Sequence, residues 1–174
     1  MQPSREYRYL SRRISSLSLS GKALIELMLA VHTKGLPIRF KAGGHSMTPF
    51  IRDGDVVLVH PLTSLAPTLG DVVAFIHPET KMLRIHRVLS VSGAGCLIQG
   101  DNMAEKPDGL VPGGAILGKV TRLERDGREV RLGLGPERIL LALLSRLGML
   151  AVIRRYLGPL HARFSRSPWP CIKS

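Results

Sequence analysis

The segment with the clearest chemical potential is a glycine-rich turn that carries a serine. Residues Gly43–Pro49 read Gly-Gly-His-Ser-Met-Thr-Pro, so one residue, His45, separates Ser46 from two consecutive glycines. Glycines let the backbone bend sharply and let another chain approach closely. Such a turn can expose a nucleophilic hydroxyl and free backbone N–H groups to bind an oxyanion. A lone Gly-x-Ser is more often an ordinary turn, but the longer string through Asp55 favours Ser46 as a nucleophile.

A serine needs a base to accept its proton, and His86 is the simplest base that the sequence offers. It lies in the β-branched run Met82–Val91, where side chains alternate between two faces. Leu83 and Ile85 share the more apolar face, so we expect the imidazole of His86 to project toward a cleft. Histidine needs little tuning to act as a base near neutral pH. Lys81 is the weaker candidate, because burial would have to depress an ordinary lysine pKa of ~10.4 by several units.

Two aspartates follow the histidine run and are candidates for orienting its ring. Asp101 lies in Gly-Asp-Asn, and Asp108 lies in Pro-Asp-Gly. A carboxylate that accepts the second ring proton fixes the tautomer of a catalytic histidine and stabilises its protonated form. Both tripeptides are also good turn formers. We therefore regard Asp101 and Asp108 as equal candidates.

The elements that must position these residues are mostly β-strands. Short runs rich in β-branched residues and separated by Gly, Pro and Asp turns predict strands at Ile38–Lys41, Val56–His60, Val72–His77, Met82–Val91, Leu97–Gln99, Ile116–Leu123 and Val130–Leu132. Regular short strands of this kind indicate an antiparallel sheet or barrel. The predicted fold class is mainly β.

Helical patterns flank this β-rich stretch on both sides. Polar residues recur at spacings of four and seven from Lys22, which predicts an amphipathic helix from Ser20 to about Gly35. After Gly133–Pro136, a second and more apolar helix is predicted over 137–157. We therefore divide the chain into a basic irregular segment (1–19), a catalytic domain that includes its N-terminal helix (20–136) and a basic C-terminal helical extension (137–174).

The formal charge of +12 lies entirely in the two flanks. Residues 1–41 hold eight basic and two acidic groups and residues 137–174 hold seven and one, whereas residues 42–136 hold ten of each. Nucleic-acid binders usually carry their charge on the recognition module, often with stacking aromatics, and aromatic residues make up only 5% of this chain. The pattern argues against nucleic acid and suits an anionic membrane surface, with two solvated tails as the alternative.

The hydrophobic runs indicate how the chain would meet a membrane. The run Ile139–Ile153 is interrupted by Ser145 and Arg146 and is shorter than the ~20 apolar residues of a spanning helix. We expect membrane association that is peripheral or C-terminally anchored, with a cytoplasmic location as the alternative, and no secretory signal at the N-terminus. Cys96 and Cys171 are too few for a disulfide framework or a zinc site, and no metal or organic cofactor is expected.

Five motifs in order resemble the type I signal peptidase superfamily of serine peptidases. They are Gly-His-Ser-Met-Thr-Pro with Arg-Asp-Gly-Asp, Gly-Asp-Val-Val, Ile-His-Arg-Val, Gly-Asp-Asn and Leu-Gly-Lys-Val, within residues 38–123. The sequence is most similar to the archaeal and endoplasmic-reticulum branch, where histidine replaces the lysine of bacterial leader peptidases. The resemblance implies a coiled antiparallel sheet and cleavage of precursors after small residues. It also implies Ser46 as nucleophile, His86 as general base, and Asp101 and Asp108 in the acidic positions.

Three features depart from that family. An amphipathic helix containing Glu26 precedes the serine motif, where the family usually has a spanning helix. Gly44 stands where many bacterial members have a hydroxyl that helps to bind the oxyanion, which leaves the Ser46 N–H as the candidate donor. Lys106 and Pro107 lie between the two aspartates.

The leading expectation is a serine endopeptidase that cleaves a precursor or leader peptide, with a peptide or preprotein as its substrate. A self-cleaving, repressor-like peptidase that uses Ser46 with Lys81 is a second hypothesis, although residues 1–40 offer one convincing helix and no helix-turn-helix. A third is a non-catalytic module whose basic flanks bind lipid or nucleic acid. The sequence does not indicate the oligomeric state.

Overall fold

The computed structural model describes residues 21–62, 66–102 and 107–147. In chain order, the strands are β1 Ile38–Lys41, β2 Val56–Pro61, β3 Val72–Ile76, β4 Leu83–Ser92, β5 Gly95–Gln99, β6 Leu110–Val111, β7 Ile116–Arg125 and β8 Arg128–Val130. Helix α1 spans Gly21–His32 and helix α2 spans Arg138–Arg146. A short 3₁₀ turn at Gly113–Ala115 leads into β7.

All of these strands belong to one curled antiparallel sheet. The strand order is β1-β2-β7-β3-β4-β5-β6, and β8 pairs with the end of β7. The register shifts between Leu58 and Val59, between Ala74 and Phe75, and between Val88 and Ser90. Irregularities of this kind bend a strand and increase its twist. They curl the sheet into a half-barrel.

Two buried clusters lie against the sheet, and β3 contributes to both. Val72 and Ala74 belong to the first cluster, which α1 joins through the fully buried Met28. Val73 and Phe75 belong to the second cluster. Alternate side chains of a strand point to opposite faces, so β3 is buried on both faces of the sheet. The clusters therefore make β3 and its neighbour β4 a rigid base for the side chains that β4 carries.

The prediction of a mainly β fold is confirmed, and the predicted strands match the observed ones within a few residues. The two-residue strand Leu110–Val111 was not predicted, since so short a run has no visible alternation. The last strand lies at Arg128–Val130 rather than 130–132. A turn at Asp126 and Gly127, both with positive φ, pairs Arg128 with Arg125 and so begins the strand early.

The predicted apolar C-terminal helix is not supported as stated. Its described part is the nine-residue helix α2, in which Ala142 is fully buried while Ile139, Leu140 and Leu143 are exposed. The described part of the apolar run is therefore divided between a buried and an exposed face of α2. Residues 148–174 and the basic segment 1–19 lie outside the described residues. Within the described part of the chain, no helix combines the length and apolar character that crossing a bilayer requires.

Candidate active site

The loop between β1 and β2 positions Ser46. Two backbone hydrogen bonds close this loop at its base: the Ala42 N–H donates to the Asp55 carbonyl (2.7 Å), and the Gly54 N–H donates to the Ala42 carbonyl (2.9 Å). Met47, directly after the serine, is only 4% exposed and packs in the first cluster. The neighbour of Ser46 is thus anchored in the core, and the serine side chain lies at the surface of a groove.

The Arg-Asp-Gly-Asp motif that follows stabilises the same loop. Asp53 Oδ1 accepts the N–H of Gly44 (2.8 Å), a residue with φ of +88°. Asp55 accepts the N–H of Arg52 and two hydrogen bonds from Arg125 of β7. Burial alone would raise the pKa of Asp55, but Arg125 and the Arg52 N–H outweigh it and hold that pKa below its ordinary value. Asp55 therefore links the serine loop to β7 of the sheet through its ion pair with Arg125.

His86 is buried on β4 beside the serine. Its Nε2 lies 2.8 Å from Ser46 Oγ, and its Nδ1 lies 2.5 Å from Asp108 Oδ2. A carboxylate can only accept, so Nδ1 carries the ring proton and Nε2 is free to accept the proton of the serine hydroxyl. His86 is 2% exposed, and its ring packs against Phe75 at a centroid distance of 5.9 Å. The hydroxyl, imidazole and carboxylate form one hydrogen-bonded chain.

Asp108 is held as a carboxylate under the histidine. Arg84 Nη1 donates to Asp108 Oδ1 at 2.6 Å. The backbone N–H of Asp108 donates to the Ile98 carbonyl on β5 at 2.9 Å. Burial by itself would raise the pKa of Asp108, but the hydrogen bonds and charges of His86 and Arg84 hold it below its ordinary value. Asp108 is thus an ionised acceptor that fixes the tautomer of His86.

The structure places Asp101 on a different partner. Both of its oxygens accept from Arg87, at 2.8 Å from Nε and 2.7 Å from Nη2, and both side chains are completely buried. Arg87 also donates to the carbonyls of Gly70 and Gly133. This pair lies next to His86 along β4 but makes no hydrogen bond to its ring. The structure therefore brings Ser46, His86 and Asp108 together and leaves Asp101 outside that group.

Asp101 nevertheless contributes to the position of Ser46 through its neighbour, Asn102. The Asn102 backbone N–H donates to the Ser46 carbonyl at 2.7 Å, and its side-chain amide donates to the His45 carbonyl at 2.8 Å. The ion pair with Arg87 holds the start of this loop in the core. The Gly-Asp-Asn motif therefore connects the end of β5 to the serine turn through hydrogen bonds.

The groove in front of Ser46 has a volume of about 570 Å³, within the usual range for ligand sites. Large apolar side chains from α1, β1, β4 and the serine loop contribute six of its fourteen described lining residues: Leu24, Phe40, Met47, Ile51, Leu83 and Ile85. Strand β1 is the last strand on its side of the sheet, and residues 83–86 of β4 pair only with β3 among the described strands. Both strands line the groove, so an extended peptide could pair with their free edges.

Of the predicted oxyanion donor and the alternative base, the Ser46 N–H lies at the groove and Lys81 does not. No hydrogen bond within the described ranges uses the Ser46 N–H, which leaves it available to an oxyanion. Lys81 is exposed in the turn between β3 and β4 and does not line the groove. No three His, Cys, Asp or Glu side chains in the described part of the chain are grouped so that they could hold a metal ion.

Four residues of this network were missed from the sequence: Arg84, Arg87, Asn102 and Arg125. Arg87 and Asn102 lie inside the quoted motifs, directly after His86 and Asp101, and Arg84 immediately precedes the Ile-His-Arg-Val motif, so proximity to those motifs was an available signal. Arg125 is 70 positions from Asp55. It had no local signal, because only the pairing of β2 with β7 brings the two together.

A hydroxyl, an imidazole and a carboxylate hydrogen-bonded in this order are the arrangement that serine hydrolases use. The family model described as Peptidase S24-like matches residues 22–121, more than half of the 174 residues. The chain belongs to the Peptidase S24-like family of serine peptidases, which includes signal peptidase I and self-cleaving repressors. No curated protein matches the chain.

Proposed function

We propose that this peptidase is an endopeptidase of the signal peptidase type that cleaves a precursor or leader peptide. Ser46 is its nucleophile, His86 its general base and Asp108 the residue that orients His86. Support comes above all from one observation, the 2.8 Å contact of Ser46 Oγ with His86 Nε2 backed by the Asp108 carboxylate. A histidine at the base position is also what the motif resemblance to the archaeal and endoplasmic-reticulum branch implies.

The proposed reaction uses each of these groups in turn. A substrate strand lies in the groove, and Ser46 Oγ attacks its carbonyl carbon while His86 Nε2 takes the hydroxyl proton. The Ser46 N–H donates to the oxyanion of the tetrahedral intermediate. His86 then protonates the leaving amine, and a water activated by the same imidazole releases the acyl fragment. Asp108 stabilises the imidazolium at each stage.

The hypothesis of a Ser46–Lys81 pair has less support. Lys81 is exposed and its backbone lies in a turn with φ of +56°, whereas His86 already contacts the hydroxyl. Burial is the condition under which a lysine becomes a neutral base near pH 7, and Lys81 lacks it. Self-cleavage remains testable by mass spectrometry, since two fragments whose formation depends on Lys81 would favour this alternative.

Purified protein should cleave a peptide library of known sequences, with cut sites read by mass spectrometry. We expect Ser46→Ala and His86→Ala each to lower kcat by a factor of at least about 10³, as triad variants do. His45→Ala is the matched control, because His45 adjoins the serine but is exposed and contacts it through no side-chain bond. Wild-type turnover in folded Ser46→Ala or His86→Ala would contradict the residue's role, and no cleavage by the wild type would contradict the function.

An anionic membrane surface is the partner that we propose for the flanks. The exposed side chains of Ile139, Leu140 and Leu143 on α2 support it, together with the basic excess of residues 137–174. Anionic lipid attracts basic segments and an apolar helix face can enter the interface. Equal binding of the protein to anionic and to neutral vesicles in co-sedimentation would contradict this proposal.

A further inference from the structure

Helix α1 contributes part of the groove wall, which neither the serine motif nor the charge pattern indicates. Its first turn lines the groove with Gly21 and Leu24. The opposite lining comes from β1 and β4 and includes Phe40, Leu83 and Ile85. Leu24 is therefore an apolar side chain on a separate element that faces the same cavity as the catalytic serine.

The wall is fixed to the sheet along the rest of the helix. Met28, one turn after Leu24, is fully buried in the first cluster. At the end of α1, His32 Nδ1 donates to the Leu117 carbonyl of β7 at 2.9 Å. The ring lies on Gly118, where an added Cβ would come within 2.9 Å of His32 Cε1. Helix α1 is thus anchored at its middle and its end, which distinguishes a rigid wall from a mobile lid.

A rigid apolar wall selects by size. In a hydrophobic pocket, one methylene more or less changes kcat/KM by roughly 10–200-fold, because an oversized side chain does not fit and an undersized one leaves a gap. The groove runs from His86 back along β4 to Leu83, which is ~10 Å at the rise of a strand. A side chain that fills the apolar part of the groove therefore belongs to a residue a few positions from the scissile bond.

We propose that Leu24 determines the size of the apolar substrate side chain that the groove accepts away from the scissile bond. The inference rests on the peptidase function proposed above and specifies its substrate: a peptide with a small or medium apolar residue at that position. Leu24 acts by direct contact with this side chain, while the bond-breaking groups lie on other elements.

The test compares Leu24→Ala with Leu29→Ala, since Leu29 is on the same helix but is 47% exposed and does not line the groove. Peptides derived from a library substrate carry Ala, Leu or Phe at one position at a time. We expect Leu24→Ala to raise the Phe-to-Ala ratio of kcat/KM by about tenfold at one position, mainly through KM, and Leu29→Ala to leave every ratio unchanged. Leu24→Phe should shift the ratio at that position the other way.

Each outcome bears on the proposal. Unchanged ratios in both Leu24 variants, or an equal shift in Leu29→Ala, overturn the role of Leu24 while leaving the peptidase function intact. If Leu24→Ala does not fold, as judged by thermal unfolding, Leu24→Phe and the milder truncation Leu24→Val decide the question. Absence of cleavage by the wild type overturns the peptidase function, and the inference with it.

Discussion

Arg84 links the substrate groove with the carboxylate behind the histidine. Its side chain lines the groove and is 32% exposed, while its Nη1 donates to Asp108 at 2.6 Å. Together with His86, it holds the pKa of Asp108 below its ordinary value against the opposing effect of burial. Arg84 is thus a positioning residue whose loss should be visible in the pH dependence of the reaction.

For Arg84→Gln we expect kcat/KM to fall about tenfold and its acid limb to move to higher pH. Without the guanidinium, His86 alone opposes the effect of burial, so the pKa of Asp108 rises, and a protonated Asp108 no longer stabilises the imidazolium. The measurement is kcat/KM against pH, with Arg128→Gln on the exposed strand β8 as the control. An acid limb that coincides with that of the wild type would show that Arg84 does not act through Asp108.

The loss of the Asp101 carboxylate would leave the buried guanidinium of Arg87 without a charged partner. Asp101→Asn should lower the free energy of unfolding by about 3–5 kcal/mol, since the Arg87 and Asp101 side chains are both completely buried. Urea unfolding measures this change. The double variant Arg87→Met with Asp101→Leu should recover only part of the stability, because no buried charge is left unpaired but the carbonyls of Gly70 and Gly133 lose their donor. Its activity should stay low, because the loop that carries Asn102 is no longer held by the ion pair. A single variant within 1 kcal/mol of the wild type would contradict this account.

At the scale of elements, Gly118 lets α1, β2 and β7 approach each other. A Cβ at this position would lie 2.4 Å from the backbone oxygen of His60 and 2.9 Å from the ring of His32. The first neighbour is backbone and cannot rotate away, so Gly118→Ala must separate β7 from β2. We expect a loss of about 1–3 kcal/mol in the free energy of unfolding, the usual cost of overpacking.

Thermal and urea unfolding of Gly118→Ala test this expectation. Gly114→Ala is the matched control, because a Cβ there meets nothing within 4 Å and its φ is not positive. Equal stability of the two variants would contradict the close approach. A loss of stability in Gly118→Ala but not in Gly114→Ala, together with altered substrate selectivity, would also show that Gly118 affects the position of α1 at the groove.

At the scale of the whole molecule, three carboxylates with lowered pKa values stabilise distant parts of the fold. Burial opposes the effect in each, but Asp55 is stabilised by Arg125, Asp71 by Lys119 and Asp108 mainly by His86. Their ion pairs and hydrogen bonds link the serine loop to β7, the start of β3 to β7, and the residues after β5 to His86 on β4. The fold therefore depends on these groups remaining ionised.

The free energy of unfolding should accordingly fall in acid. A carboxylate with a depressed pKa in the folded state stabilises fully above its unfolded pKa, ~3.9, and loses that contribution as the pH falls through its folded-state value. Urea unfolding between pH 7 and pH 2.5 measures the loss, which Asp55→Asn should reduce and the exposed control Glu26→Gln should not. A stability independent of pH below 4 would contradict the role of these groups.

Much of the fold follows from local pattern. Alternation and Gly-Asp turns located seven of the eight strands within a few residues, and the Gly-His-Ser turn identified the residue at the groove. The prediction placed His86 on the less apolar face of its strand, which was incomplete. The face of the sheet that carries His86 also carries Phe75 and Val88 of the second buried cluster. Local alternation separates two faces of a strand, but it does not reveal that both faces are buried.

The choice between the two aspartates shows where sequence information ends. Asp101 and Asp108 follow the same strand in similar turns, so their local patterns are equivalent. The distinction arises because the N–H of Asp108 bonds to Ile98 on β5, which brings its carboxylate to His86, while Asp101 meets the fully buried Arg87. The sequence by itself determined the candidate side chains and their order along the strands. Only the packing of strands far apart in the chain decided which of them touch, because side-chain contacts depend on register and curl, which no local pattern encodes.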